Sequence, residues 1–206
     1  MTRIKICGIT NKADAVMASS LGVDMLGFVF YRKSKRYVTP AVAADIINAL
    51  PPYIGKVGVF VCEKPDSVLE IARIAGLDML QFHGDETPEY CGGFCDNYKV
   101  IKAFRVKDKK DLKCVNDYGV DFYLFDTHKG NSIGGTGETF DWKALEDFEI
   151  LKPVILSGGL NPQNVGDAIK EVLPYGVDVS TGCEKSPGKK DPELMKKFVE
   201  NVRKMD

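Results

Sequence analysis

Lys5-Ile6-Cys7-Gly8-Ile9-Thr10 brings a short apolar run to an end on a thiol, just before a glycine turn. A thiol in that place is a packed small hydrophobe, a metal ligand or a proton-transfer group. Two later segments, Ser157-Gly158-Gly159-Leu160-Asn161-Pro162 and Ser180-Thr181-Gly182, have the make-up of anion cradles. Glycine lets backbone N–H groups approach an anion, and Asn followed by Pro marks a helix start with further free N–H groups. Other polar residues close apolar runs: His83 in Leu80-Gln81-Phe82-His83-Gly84, and Asp126 after Phe122–Phe125. The basic segment Arg32–Arg36 reads by default as a solvated loop. One of its arginines is able to grip a carboxylate with two parallel hydrogen bonds, but the spacing does not choose which.

Positioning these groups requires a scaffold, and the chain alternates between two kinds of segment. Short apolar, β-branched runs at Ile4–Cys7, Met25–Phe30, Val57–Val61, Met79–Phe82, Val100–Phe104, Phe122–Phe125, Val154–Leu156 and Val177–Val179 read as buried parallel strands. Helical periodicity is expected between them: Asn11–Leu21, a helix opened by Thr39-Pro40, Asp66–Ala75, Thr87–Cys95, Lys109–Asn116, Trp142–Phe148, Pro162–Val172 and Pro192–Val202. Gly-x-Asp recurs before alternate strands, at Gly22-Val23-Asp24, Gly76-Leu77-Asp78, Gly119-Val120-Asp121 and Gly176-Val177-Asp178. Each glycine is expected to stop a helix with positive φ. The pattern predicts a single-domain (β/α)₈ TIM barrel spanning residues 1–206, with its chemistry at the C-terminal ends of the strands. There the glycine turns after strands seven and eight form a phosphate site.

The bulk composition is consistent with this. The 206 residues carry a formal net charge of -1, which argues against a nucleic-acid or membrane-surface protein. No apolar run approaches the roughly 20 residues of a membrane span, so a cytoplasmic protein is expected. The six cysteines are scattered and expected to be free thiols. Cys91 and Cys95 lack companion ligands at metal spacing, so no metal is expected. Gly134-Gly135-Thr136-Gly137, anchored by Thr139–Trp142, reads as a loop able to fold over a ligand.

Taken in order, these motifs resemble the phosphoribosylanthranilate isomerase family over the whole chain. The matching segments are Lys5–Thr10, Ser34–Val38, Val57–Val61, Leu80–Gly84, Gly134–Trp142, Leu156–Leu160 and Gly176–Ser180. The resemblance implies an Amadori rearrangement of a phosphosugar–anthranilate in tryptophan biosynthesis, with no cofactor. It implies Cys7 as general base, Asp126 as general acid and Arg36 on the anthranilate carboxylate. Phosphate would lie on backbone N–H groups around Gly158, Gly159 and Gly182. His83, Asp178 and Ser180 complete the expected substrate contacts. Positive potential is expected to lower the pKa of Cys7, and partial burial to keep Asp126 protonated. The chain departs from the family's more usual Ser-Ser-Gly-Val-Glu at Ser180-Thr181-Gly182-Cys183-Glu184, retaining the hydroxyl and the glycine. Two other readings stay open: a catalytically silent phosphosugar-binding barrel, or another phosphosugar-barrel enzyme such as indole-glycerol-phosphate synthase. The expected partner is a small molecule, with no nucleic acid and no membrane, and the protein is a monomer or homodimer.

Overall fold

A computed structural model describes residues 1–106, 109–127 and 148–206. Eight parallel strands close on themselves in chain order: β1 (Arg3–Cys7), β2 (Met25–Val29), β3 (Gly55–Phe60), β4 (Met79–Phe82), β5 (Lys99–Val106), β6 (Phe122–Thr127), β7 (Val154–Ser157) and β8 (Gly176–Val179), with β8 pairing back onto β1. Side-chain alternation splits the apolar residues into two cores. The larger lies between the sheet and the outer layer and includes Ile4, Ile6, Phe28, Leu80, Phe82 and Phe125. The smaller fills the barrel interior with Met25, Val57, Ile101, Ala103, Leu124 and Ile155. Lys5 pairs in register with Met25 and with Asp178, so the next inward layer on β1 and β8 is charged.

The outer layer contains α1 (Lys12–Ser20), α2 (Pro40–Ile47), α3 (Pro65–Ala75), α4 (Pro88–Gly92), α5 (Val165–Val172) and α6 (Pro192–Arg203). Capping chemistry sets their starts. The Asn11, Thr39, Thr87 and Asp191 side chains accept hydrogen bonds from N–H groups of the first turn, and proline follows directly in three of the four. Three expected helices differ. The segment read as Lys109–Asn116 forms two 3₁₀ turns, Lys109–Leu112 and Val115–Asp117. Only Leu112 and Val115 are buried there, and a three-residue spacing aligns them on a 3₁₀ turn without an α-helical stripe. The helix expected over Thr87–Cys95 stops at Gly92, where a Gly92-Gly93 pair costs about 1 kcal/mol per glycine in helix propensity. The expected Pro162–Val172 helix begins at Val165. The Asn161 side chain instead accepts from the N–H groups of Gln163 and Asn164, making a turn ahead of it. Trp142–Phe148 and the segments 134–137 and 139–142 lie outside the described residues, Phe148 excepted.

The Gly-x-Asp echo conceals two different structures. Gly22 and Gly76 have the expected positive φ of 79° and 69°, but Gly119 and Gly176 do not. Before β8 the left-handed residue is Leu173, with φ 49°. Asp24, Asp78 and Asp121 sit at the N-terminal end of the barrel. Each accepts the backbone N–H of the strand before it, from Ile4, Lys56 and Val100 at 2.8, 3.0 and 2.9 Å. Asp178 is shifted into β8 itself and points into the barrel. Three copies are clamps, and the fourth belongs to the site.

Candidate active site

Cys7 ends β1 inside the barrel mouth, 8% exposed. Its sulfur fits because the neighbouring strand carries Gly27, where a Cβ would stand 2.7 Å from Sγ. Directly below, Lys5 is fully buried, and its Nζ donates to Asp178 Oδ1 at 2.8 Å. Ser157 Oγ donates to the other Asp178 oxygen at 3.0 Å. Both Asp178 oxygens are thus engaged by the barrel itself, beneath the thiol. Breaking such a buried pair costs about 3–5 kcal/mol, because the partner charge is stranded.

This charge layer acts on Cys7 in both directions. Burial pushes the thiol pKa up, Lys5 pulls it down, Asp178 pushes it up and Lys190 pulls it down. The net direction is upward, which corrects the expected lowering: the lysines are present, but desolvation of the thiolate outweighs them. Burial at this place therefore favours the thiol over the thiolate.

Asp126 stands on β6, separated from β1 around the ring by β7 and β8. His83, just beyond β4, lies against it, with Nε2 3.0 Å from Asp126 Oδ2. Behind the ring, Gln81 Nε2 lies 2.9 Å from His83 Nδ1. The turn after His83 is itself held: Lys102 donates to Gly84 O at 2.7 Å and to Glu86 Oε2 at 2.9 Å, and Glu86 accepts from the N–H groups of Cys62 and Gly84. Burial alone would raise the Glu86 pKa. Its hydrogen bonds from Lys102 and the backbone prevail and hold it below the usual carboxylate range.

Arg36 reaches the same mouth across the Gly8 turn. Gly8 has φ 79°, and a Cβ there would stand 2.6 Å from Arg36 Cδ, so glycine is needed for both conformation and space. Arg36 Nε and Nη2 donate to the two oxygens of Glu184 at 2.7 and 2.6 Å. The fork is therefore half used, and the Nη1 edge is what remains to meet another carboxylate. Glu184 also accepts from Lys190 Nζ at 3.1 Å, and Lys190 donates to Ser180 O at 3.0 Å. Burial works against the Glu184 carboxylate, yet the Arg36 hydrogen bond and the charges of Lys190 and Arg36 keep its pKa below the ordinary range. Burial lowers that of Lys190. Lys190 comes from a hairpin of β9 (Glu184–Ser186) and β10 (Lys189–Lys190) that follows β8.

The two glycine turns meet as the composition suggests. Gly158 and Gly159 have φ 87° and 66°, a conformation L side chains rarely adopt. Gly182 opens the other turn, and a Cβ there would overlap the Leu160 carbonyl oxygen. The two loops pack backbone to backbone. Gly182→Ala should force them apart. The expected result is a KM raised about tenfold or more with kcat changed far less, measured by steady-state kinetics; this is the pattern of lost binding to an unreacting group.

Among the described residues, no group of three or more His, Cys, Asp or Glu could hold a metal ion, and no helix is long and apolar enough to cross a membrane. The site gathers Cys7, Arg36, His83, Asp126, Asp178 and the glycine turns at one end of one barrel. Gln81, Lys5, Glu184 and Lys190 were not singled out as site residues in the sequence. Lys5, Gln81 and Asp178 carried a signal, each being a polar side chain inside an otherwise apolar strand. Glu184 and Lys190 are brought in only by the fold.

Fold and site define a (β/α)₈ barrel with a thiol, a carboxylate, an arginine and two glycine turns at its C-terminal mouth, where such barrels build their active sites. The family model for N-(5'phosphoribosyl)anthranilate (PRA) isomerase matches residues 4–201. An N-(5'-phosphoribosyl)anthranilate isomerase from Geobacter sp. (strain M21) is 47% identical over 205 residues, covering 100% of both chains. The crystal structure of phosphoribosyl anthranilate isomerase from Thermotoga maritima superposes with a TM-score of 0.92 at 44% identity, covering 99% of this chain and 100% of that one. A second crystal structure of the enzyme, in complex with reduced 1-(o-carboxyphenylamino)-1-deoxyribulose 5-phosphate, matches with a TM-score of 0.88 at 41% identity, covering 99% and 100%. The chain belongs to the phosphoribosylanthranilate isomerase family of tryptophan biosynthesis, and it is an isomerase interconverting an aldose and a ketose.

Proposed function

We propose that Cys7 and Asp126 divide the proton transfers of the Amadori rearrangement of N-(5'-phosphoribosyl)anthranilate. Asp126 gives its proton to the ribose ring oxygen as the C1′–O bond breaks, and the anilino nitrogen lone pair forms the C1′=N bond. The Cys7 thiolate then takes the C2′ proton, and that C–H electron pair forms the C1′=C2′ enol while the nitrogen recovers its lone pair. Tautomerisation of the enol gives the ketose, 1-(2-carboxyphenylamino)-1-deoxyribulose 5-phosphate. The observation that carries this reading is the placement of a thiol and a carboxylate on strands β1 and β6 of one mouth, on either side of the glycine cradle of β7 and β8. The chemistry asks for one acid and one base around a single sugar.

In this reading the phosphate lies on the N–H groups around Gly158, Gly159 and Gly182, with Ser180 beside them. His83 and Asp178 act through the groups they touch, Asp126 and Lys5. The free edge of Arg36 takes the anthranilate carboxylate, and Glu184 holds that edge in place. Arg36→Ala is expected to raise KM by about tenfold or more with little change in kcat, since it removes a contact to a group that does not react. An unchanged KM would refute the carboxylate role. The reading as a whole is tested by following the decay of phosphoribosylanthranilate fluorescence with purified protein, for which enzymatic turnover is expected. A cytoplasmic location fits the reaction, which uses only small soluble metabolites.

Because burial favours the Cys7 thiol, the active thiolate is a minority form that grows with pH. Asp126 must keep its proton, so each gain in thiolate is matched by an equal loss of protonated carboxyl. The wild-type kcat/KM is therefore expected to stay level up to the thiol range and to fall beyond it. A kcat/KM that kept rising through the thiol range would contradict the pairing of a thiolate base with a carboxylic acid.

A further inference from the structure

Gln81 is 1% exposed, on the inner face of β4, with Val59 and Ile101 as its register partners on the flanking strands. Its Oε1 is buried without a hydrogen-bond partner. An orphaned buried acceptor destabilises a fold, whereas an apolar side chain of the same shape would avoid the cost. The side chain's hydrogen bond is the one it makes to His83 Nδ1 at 2.9 Å. The amide nitrogen, placed toward Nδ1, donates only, and in that orientation Nδ1 accepts and the neutral ring carries its proton on Nε2. That N–H faces Asp126 Oδ2 at 3.0 Å.

We propose that Gln81 is a positioning residue for the acid: it holds His83 as the uncharged Nε2–H tautomer, which donates to Asp126 and has no free lone pair with which to take Asp126's proton. The proposal rests on the reading of Asp126 as the acid. A ring of the opposite tautomer would present a bare Nε2 to the carboxylic acid and compete with the substrate ring oxygen for the same proton. With Nδ1 capped by the amide, that competitor is removed, and the donated N–H, which favours the carboxylate, leaves Asp126 the stronger proton donor toward the substrate oxygen. The cost of the orphaned Oε1 is accepted in an otherwise apolar girdle for this one hydrogen bond.

The test uses the full chain labelled with ¹⁵N-histidine in a His128→Gln background, so that a single ring reports. At pH 8, above the ordinary imidazole range, the wild-type His83 ring is expected to show a protonated Nε2 and a bare Nδ1. Gln81→Met keeps the shape and removes the donor. It is expected to melt at the same temperature or higher, to populate both tautomers, and to lose kcat by about tenfold with KM held within a few-fold. Gln81→Glu replaces the donor with acceptors and is expected to move the proton to Nδ1 with a larger loss of kcat. A wild-type ring protonated on Nδ1, or a Gln81→Met variant with mixed tautomers and full kcat, overturns the proposal. The acid reading fails separately, through wild-type turnover in Asp126→Asn, and leaves the tautomer measurement untouched.

Discussion

Replacing Cys7 with alanine is expected to lower kcat by at least about 10²-fold, the scale of a positioned proton transfer, while KM stays within a few-fold. The substitution removes one sulfur from a pocket that Gly27 keeps open and leaves the anion cradle untouched. It also leaves Lys5 paired with Asp178, so no buried charge is stranded and the variant should fold normally. Cys7→Ser is expected to be nearly as inactive, because a hydroxyl in the same desolvated place is a far weaker acid than a thiol. The level stretch of kcat/KM up to the thiol range should disappear in both variants, the residual rate falling with the protonated carboxyl. Near-normal turnover in either would mean that another group removes the C2′ proton.

Asp126→Asn is expected to cost at least about 10²-fold in kcat as well, through a different step. The amide preserves the volume and an acceptor for His83 Nε2–H at 3.0 Å, so the ring should remain in place. What is lost is the proton for the ribose ring oxygen. A variant of this kind binds substrate and stalls before the sugar opens. The two substitutions together should cost much less than the product of their separate losses, since the residues act on one reaction path. Steady-state kinetics on the four proteins measures this directly.

Much of the scaffold was legible because a parallel barrel writes itself in a simple code. Each strand is buried on both faces, so it appears as a short continuous apolar run, and capping residues mark the helices between. The code failed where a local signal admitted two structures. Gly119-Val120-Asp121 and Gly176-Val177-Asp178 look alike, yet one aspartate clamps the N–H of Val100 and the other lies beneath the thiol. Register, and not composition, separates them. The segment Lys109–Asn116 failed for want of an apolar stripe.

The site was legible at the strand ends and less so behind them. Cys7, His83 and Asp126 each close an apolar run, so their place at the mouth follows from the fold. Glu184 and Lys190 meet Arg36 and Ser180 through a hairpin whose course no periodicity reveals. The direction of the Cys7 pKa could not be read either. The sign depends on how burial balances against Lys5, Asp178 and Lys190, which is a property of the closed barrel. The same balance sets the task for the substrate complex: the thiol must lose its proton in a site where burial disfavours the thiolate.

The separation of roles between Cys7 and Asp126 is tested most directly by the deuterium isotope effect on single-turnover decay of substrate fluorescence, using phosphoribosylanthranilate deuterated at C2′. In Cys7→Ser, removal of that hydrogen should limit the rate and the full primary isotope effect should appear. In Asp126→Asn, ring opening should limit the rate and the isotope effect should vanish. An isotope effect in Asp126→Asn as large as that in Cys7→Ser would contradict the account.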